Sequence, residues 1–268
     1  YGRAEQRTTG IHLRQRARAF IFGTDLPDDD GVRELLLIVA EIPLPMQSVT
    51  DAVLRRLAAT FGQHFTALNT MLTVTHTHSG PGGYCGHFLY NATTQGFRPK
   101  TFDAIVDGIV EAVLRAQDDI APAAVSIAHG QLRNASTNRS RVSFERNPQV
   151  DKDFFPDGID PQTSLVRIER DGRAVGAINF FPTHGTCMTN RNTLISSDSK
   201  GFAAYHWERE LHGADYLSGE PQEFIAAFAQ TNSGDMSPNL RFDGSRRRGA
   251  QRFGPADDEF ADTRLIGG

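Results

Sequence analysis

Strand-like and helix-like segments alternate along this chain, and that alternation limits its possible folds more than any other feature. Residues 34–43 form an apolar run rich in Leu and Ile, which is typical of a buried strand. Residues 49–61 carry apolar side chains at helical spacing, and residues 71–78 again predict a strand. A long helix is predicted over residues 101–114, where the apolar stripe is continuous. This order predicts an α/β domain with a mixed sheet and helices packed on it.

Cap and turn residues divide these segments. Ser48 or Thr50 is the expected N-cap of the first helix, and Asp171-Gly172 predicts a hairpin turn. Residues 134–163 form the longest predicted loop, and long loops in compact domains are often functional. The remaining predicted elements are strands at 124–132, 165–169, 174–181 and 224–230 and a helix at 201–211.

Composition narrows the class of protein. The 268 residues are 39% hydrophobic, which is enough to build a core, so a generally disordered chain is excluded. The net charge of −4 gives little electrostatic support for a nucleic-acid partner, and the four arginines at 246–248 and 252 are interpreted as a solvated loop. Two cysteines, Cys85 and Cys187, are too few for a disulfide scaffold. The longest fully apolar run, residues 35–40, is far shorter than the roughly 20 residues of a spanning helix.

Two histidines stand at the first of three predicted strand ends that lead into polar loops, residues 76–83, 183–192 and 231–239. Ligands in α/β sheets tend to bind where strands end in such loops. Because alternate side chains of a strand share a face, His76 and His78 are expected to point the same way. They could then offer two imidazoles to one metal, or one to a metal and one to a substrate. The alternative is that both are polar residues that only end a strand.

The other two loops carry further reactive residue types. A single histidine such as His184 is more often structural than a metal ligand. The imidazoles of the first loop favour a ligand role for it. Cys187 is either a soft ligand or nucleophile, or a small and partly buried residue. Ser237 would need a base or a metal nearby to act as a nucleophile, and otherwise belongs to a turn. Asp198 is either a helix cap or a carboxylate that orients a zinc-bound imidazole.

Motifs of several common enzyme classes are absent from the sequence, namely the Walker loop, the GxGxxG fingerprint, the GxSxG elbow and HExxH. The residue types and their spacing therefore lead to an α/β protein that is a candidate zinc hydrolase, and no further.

Taken together, several segments resemble signature sequences of one enzyme family, the neutral ceramidases. The likeness runs in order along nearly the whole chain, with the bacterial and mycobacterial branch most similar. The segments that carry it are residues 75–83 (THTHSGPGG), 134–140 (NASTNRS), 183–190 (THGTCMTN), 198–205 (DSKGFAAY) and 228–239 (FAQTNSGDMSPN).

The resemblance implies an amidase that uses Zn²⁺ to hydrolyse the N-acyl bond of ceramide, giving sphingosine and a fatty acid. Position by position, it implies His76 and His184 as zinc ligands, His78 and Arg139 as residues that line the reacting centre, and Ser237 as the nucleophile. Bound zinc can polarise a carbonyl or acidify a water, and either mode suits amide hydrolysis. Whether Ser237 attacks or only positions the substrate stays open.

Two carboxylates, Asp198 and Asp235, are further candidates for supporting the ligands without touching the metal. Two departures from the family pattern are expected to have modest effects: Cys187 stands where relatives usually carry Ser, and Thr193 where close relatives usually carry His.

The resemblance also sets expectations about extent and surroundings. The family completes its zinc site with a Glu and a Tyr that lie further along than Gly268, so residues 1–268 are expected to be the N-terminal part of the catalytic domain, incomplete at both ends and without the family's C-terminal immunoglobulin-like domain. The expected partner is ceramide or a related N-acyl sphingolipid, met at a membrane or micelle surface, with no nucleic acid. The expected location is secreted or cell-surface, although no N-terminal signal is seen after Tyr1.

Two rivals to the ceramidase hypothesis remain. One is a zinc hydrolase of another N-acyl lipid or amide, because the motifs specify the reacting centre better than the acyl chain. The other is an inactive fragment that only binds zinc or lipid.

Overall fold

The computed structural model describes residues 6–24, 34–240 and 258–268. The strands in those residues are β1 (Gly10–Ile11), β2 (Ala17–Gly23), β3 (Glu34–Ala40), β4 (Thr70–Val74), β5 (Ala124–Gln131), β6 (Thr137–Asn138), β7 (Gln162–Arg170), β8 (Arg173–Phe181), β9 (Leu194–Ile195), β10 (Ile225–Gln230) and β11 (Met236–Ser237). The α-helices are α1 (Gln47–Phe61), α2 (Phe88–Asn91), α3 (Pro99–Asp118), α4 (Arg141–Phe144), α5 (Gln149–Phe154), α6 (Asp198–Tyr205) and α7 (Glu259–Gly267). A 3-10 turn, Ala92–Thr94, follows α2, and a π-helix, His206–Leu211, continues α6.

The first sheet has the order β2-β3-β4, with β2 antiparallel and β4 parallel to the central β3. One face of β3 presents Leu36 and Ile38 to the apolar stripes of α1 and α3, where Val53 and Val106 are buried. The predicted helices are therefore confirmed. The predicted cap of α1 is wrong, because Met46 occupies the N-cap position and no side chain caps the helix.

The second sheet has the order β10-β8-β7-β5 and is also mixed, since β10 and β8 are parallel while the other neighbours are antiparallel. Asp171 and Gly172 join β7 to β8 with positive φ angles of 50° and 75°, which confirms the predicted hairpin turn. Strand β5 at the outer edge is exposed along its whole length.

The two sheets stack face to face, with α1 and α3 on the outer face of the first sheet and α6 and the π-helix against β10 of the second. Phe20, Leu37 and Val39 of the first sheet pack against Ile178 and Ala227 of the second. On the far side of the second sheet, Ala177 and Ala226 pack with Trp207 of the π-helix. The predicted α/β fold with mixed sheet and packed helices is confirmed, with two stacked sheets in place of one. Alternate residues of β3 face opposite layers, which explains why this strand is apolar from residue 35 to residue 40.

A buried ion cluster ties the first sheet to the π-helix. Arg18 of β2 donates from Nε and Nη2 to the carboxylate of Glu208, at 2.7 Å each, and from Nη1 to Glu41, at 2.5 Å. The helix predicted at 201–211 begins earlier, at Asp198. Its second half is a π-helix, and this π-helix contributes Glu208 to the ion cluster.

Three further expectations can be compared with the described residues. Cys85 and Cys187 are both free and buried. No helix in the described ranges is long and apolar enough to cross a membrane. The arginines at 246–248 and 252 lie outside the described residues.

Candidate metal centre

The first histidine loop leaves its strand earlier than predicted. Strand β4 ends at Val74, and His76 has a left-handed backbone with φ of 62°, so the two histidines do not alternate along a strand. They nevertheless converge, because the Nε2 atoms of His76 and His78 lie 3.2 Å apart. The expectation that the side chains meet is confirmed, and the strand geometry offered for it is wrong.

A backbone bridge holds this loop against the one that carries His184. Thr77 pairs with Gly185 in a parallel bridge, and the amide of His78 donates to the carbonyl oxygen of Gly185 at 2.9 Å. A Cβ on Gly185 would lie 2.7 Å from the carbonyl oxygen of His76, so this close approach requires glycine. The two loops are therefore in fixed register.

Three imidazoles meet at this junction. The ring centroids of His76 and His184 are 4.7 Å apart, and those of His78 and His184 are 5.3 Å apart. One potential ligand atom from each ring lies within 4.8 Å of the others, so the three residues could hold a metal ion. The structure thus groups His78 with the two predicted ligands and does not set it apart from them.

Backbone carbonyls orient two of the rings. His76 Nδ1 lies 2.7 Å from the carbonyl oxygen of Pro43, and His184 Nδ1 lies 3.0 Å from that of Met236. Because a carbonyl only accepts, each ring carries its proton on Nδ1 and keeps the Nε2 lone pair for a ligand role. Sequence reasoning missed Pro43 and Met236, and no pattern of residue types would have found them, because their backbones supply the contact.

The ring nitrogens of His76 and His78 have the spacing that a zinc ion requires. Zn–N bonds of 2.0–2.1 Å in a tetrahedron put neighbouring nitrogen atoms about 3.4 Å apart. The Nε2 atoms of His76 and His78 are 3.2 Å apart without any adjustment. Neutral imidazole is also the form that binds metal.

The electrostatic surroundings keep the rings neutral. Burial is the main cause, and with the neighbouring rings and Arg139 it lowers the pKa of His78 to about 3. Burial followed by Arg139 and His76 lowers the pKa of His184 to about 4. Burial lowers the pKa of His76 as well, against the raising effect of its bond to Pro43.

Arg139 lies beside the imidazoles, as the resemblance implied. Its Nη2 donates to His184 Nε2 at 3.1 Å and to the carbonyl oxygen of Gly234 at 2.8 Å. Its backbone amide donates to the carbonyl oxygen of Asp235 at 2.9 Å. The guanidinium is thus at the edge of the cluster, and a metal on His184 Nε2 would compete with it for the same lone pair.

Ser237 lies in the third loop, where short strand β11 pairs with β6 just before Arg139. Its side chain is buried, and the hydrogen bond that the described residues make to its Oγ comes from the amide of Asn239 at 3.3 Å. The preceding residue, Met236, accepts both the backbone amide and Nδ1 of His184 through its carbonyl oxygen. The third loop is therefore joined to the cluster, although no described imidazole is hydrogen-bonded to Ser237.

The two candidate supporting carboxylates, Asp198 and Asp235, accept hydrogen bonds from loop residues and not from the imidazole rings. Asp198 accepts from the backbone amides of Cys187 and Met188, at 3.2 and 3.0 Å, and from its neighbour Ser199. It therefore anchors the chain just after His184, and the alternative that it orients an imidazole is not what the structure shows, because both oriented rings use carbonyls. Asp235 accepts from Asn138 Nδ2 at 2.8 Å and so braces the β6–β11 pair.

Comparisons with known proteins identify the family of this chain. The model of the family described as neutral/alkaline non-lysosomal ceramidase, N-terminal, matches residues 1–268. The chain is 61% identical to a neutral ceramidase of Mycobacterium tuberculosis over 267 residues, covering all of this chain and 40% of that protein. It is 44% identical to a neutral ceramidase of Pseudomonas aeruginosa, covering 37% of that protein.

Solved structures give the same result. A ceramidase complexed with C2 superposes with a TM-score of 0.87 at 43% identity, and the neutral ceramidase crystal structure from Pseudomonas aeruginosa with 0.86 at 44%. Each match covers all of this chain and 39% of the solved chain. The chain spans about two-fifths of the length of these relatives, and it belongs to the family of neutral/alkaline non-lysosomal ceramidases.

Proposed function

We propose that this chain carries the imidazole cluster of a zinc-dependent amidohydrolase that cleaves the N-acyl bond of ceramide, giving sphingosine and a free fatty acid. The observation that carries the proposal is the convergence of His76, His78 and His184 in a chain of the ceramidase family. The relatives named neutral ceramidase support the substrate class, and the donor set of neutral nitrogen ligands supports zinc.

The reaction consumes one water: the C–N bond of the amide breaks, the acyl carbon gains a hydroxyl group and the amine gains a proton. A zinc ion, when bound, supplies a Lewis acid at the amide carbonyl or acidifies a water. His76 and His184 would hold the ion through Nε2. His78 would line the reacting centre or serve as a third ligand, since its low pKa makes it a weak base.

Arg139 would act on the substrate oxygen. Its Nη2 already donates at the edge of the cluster, to His184 and Gly234, so a substrate carbonyl or hydroxyl could replace one of those acceptors. A guanidinium that donates to an oxygen on which negative charge develops stabilises the transition state. Ser237, one residue from the Met236 carbonyl that orients His184, either attacks the carbonyl carbon or positions the substrate.

We propose that the substrate reaches the site from a membrane or micelle surface. Phe88 and Leu89 of α2, ten residues along from His78, are 83% and 80% exposed, and such side chains favour a lipid interface. Replacing both with Asp should reduce sedimentation with ceramide-containing vesicles and leave hydrolysis of a short-chain, water-soluble amide unchanged. Equal vesicle binding by the variant and the wild type would remove this part of the proposal.

The decisive experiment measures metal content and ceramide hydrolysis in the full-length protein. We expect wild type to retain zinc, and His76→Ala and His184→Ala to lose both zinc and hydrolysis. His129→Ala is the matched control, because His129 is an exposed histidine of β5 whose Nδ1 is hydrogen-bonded to Ser164 Oγ. Full hydrolysis in both cluster variants would refute the proposal.

Two additions separate the rival functions. A panel of N-acyl lipids and simple amides shows whether ceramide is preferred, and a stronger reaction with another amide would move the assignment to that substrate. Zinc retention with no hydrolysis of any amide would indicate a binding protein. Ser237→Ala with normal zinc and no turnover would support a direct role for Ser237.

A further inference from the structure

A side-chain amide connects the loops that carry the imidazoles. Gln230 is the last residue of β10, which runs parallel to β8, and it is paired in register with Phe181 at the end of β8. The next residues after Phe181 lead to His184. Gln230 therefore stands at the strand end from which one metal-site loop departs.

Three hydrogen bonds of Gln230 reach the backbone of two loops. Its Oε1 accepts from the amide of Thr183 at 3.1 Å, and its Nε2 donates to the carbonyl oxygen of Thr183 at 2.6 Å. The same Nε2 makes a longer bond of 3.4 Å to the carbonyl oxygen of Thr75. Thr183 is the residue before His184, and Thr75 is the residue before His76.

A buried lysine holds together the two strand ends next to the Gln230 side chain. Lys200, buried at the start of α6, donates from Nζ to the carbonyl oxygens of Phe181 and Ala229, at 2.6 and 2.5 Å. These carbonyls belong to the ends of β8 and β10, and Gln230 is the last residue of β10. A side chain on a rigid strand end can transmit position to a loop far better than one on a loop.

The bonds need both halves of the amide. Thr183 and Thr75 are buried, so a backbone group of theirs left without a partner would destabilise the loop that carries it. A carboxylate at this position could accept but not donate, and would face two carbonyl oxygens. A methionine of similar size could do neither.

We propose that Gln230 is a positioning residue for the metal centre: it sets the spacing between His76 and His184 by holding the residue before each. This inference rests on the proposed metal site, and it assigns Gln230 no contact with metal or substrate. It predicts that loss of the amide weakens metal binding in a protein that still folds.

The experiment compares Gln230→Glu and Gln230→Met with wild type in the full-length protein. Co²⁺ serves as the probe, because its visible absorption reports ligand geometry and its affinity can be measured by chelator competition. The matched control is Gln222→Glu. Gln222 also donates from Nε2 to two carbonyl oxygens, those of Asp215 and Glu220, but in an exposed loop.

We expect both Gln230 variants to bind Co²⁺ about 10–100-fold more weakly, in line with the loss of partners that orient metal ligands. The Co²⁺ spectrum should change as well, while the metal-free variants still unfold in one cooperative transition, at a modestly lower melting temperature than wild type. Gln222→Glu should match wild type in affinity and spectrum.

Wild-type affinity and spectrum in both Gln230 variants would overturn the inference, and so would failure of both variants to fold, since Gln230 would then serve the fold alone. These results differ from a failure of the proposed function. Strong Co²⁺ binding by wild type without ceramide hydrolysis would remove the proposed function and leave the role of Gln230 standing, whereas no metal binding by wild type would remove both.

Discussion

Replacing Lys200 by Met should change how the stability of this protein depends on pH. The Lys200 side chain is buried, its Nζ donates to the carbonyl oxygens of Phe181 and Ala229, and no carboxylate in the described residues forms an ion pair with it. Burial lowers its pKa to about 7. The folded protein therefore releases this proton over a range of pH in which the unfolded chain retains it.

The sign and the size follow from that difference. Between pH 7 and the ordinary lysine value of 10.5 the unfolded chain binds more protons, so the free energy of unfolding rises with pH. At 1.36 kcal/mol for each unit of pKa difference, one such group raises it by about 3.5 kcal/mol between pH 7 and pH 10. Lys200→Met removes this rise. Two buried carbonyls then lose a donor, at about 1–3 kcal/mol each. At pH 7 that loss is offset, because methionine also avoids the cost of burying a lysine. The variant should thus be close to wild type at pH 7 and less stable by several kcal/mol at pH 10.

The assay is equilibrium unfolding in denaturant at pH 7, 8, 9 and 10, for wild type and variant in the same full-length background. Lys152→Met is the matched control, because the Nζ of Lys152 also donates to a backbone carbonyl, that of Glu145, but in an exposed hydrogen bond. Its stability curve should run parallel to that of wild type. Parallel curves for Lys200→Met over the same range would refute the reasoning, because they would show that Lys200 keeps its proton in the folded protein.

Three further predictions concern packing and access. Arg18→Met leaves two buried carboxylates without their counterion and should lower the free energy of unfolding by about 3–5 kcal/mol in a denaturant titration; a loss below 1 kcal/mol would contradict it. Gly185→Ala should greatly weaken Co²⁺ binding, because its Cβ would meet the facing loop backbone at 2.7 Å, whereas Gly234→Ala, with open space around its Cβ, should bind normally. Cys85 and Cys187 are buried, and burial raises the pKa of the Cys187 thiol, so a thiol reagent should label both only after unfolding; rapid labelling of the native protein would argue against this placement.

The α/β fold and most of its elements were predictable from the sequence because their signals are local. Apolar periodicity located α1 and α3, and the Asp171-Gly172 dipeptide located the hairpin. The stacking of two sheets was not predictable. Apolar residues on both faces of a strand indicate that both faces are buried, but not whether a helix or a second sheet buries them. Stacking depends on contacts between residues far apart in the chain, such as Phe20 and Ile178.

The candidate site divides in a similar way. Histidines are rare and chemically distinctive, so His76, His78 and His184 could be singled out by residue type, and the family resemblance added Arg139. The parts that hold them could not be singled out. His76 adopts a left-handed backbone conformation, which its residue type does not predict. Gln230 contacts backbone groups of residues that are far away in the sequence and are brought close by the fold.

The carbonyl oxygens that orient His76 and His184 belong to Pro43 and Met236, and their main-chain origin affects how the site would respond to mutagenesis. Truncating either side chain to alanine leaves the acceptor oxygen in the polypeptide. An alanine scan would therefore measure only the packing of these two side chains. It would miss the hydrogen bonds by which their carbonyl oxygens orient the imidazoles. Changes to the peptide bond itself, such as an ester in place of the Met236–Ser237 amide, weaken the carbonyl acceptor and would reveal that contribution directly.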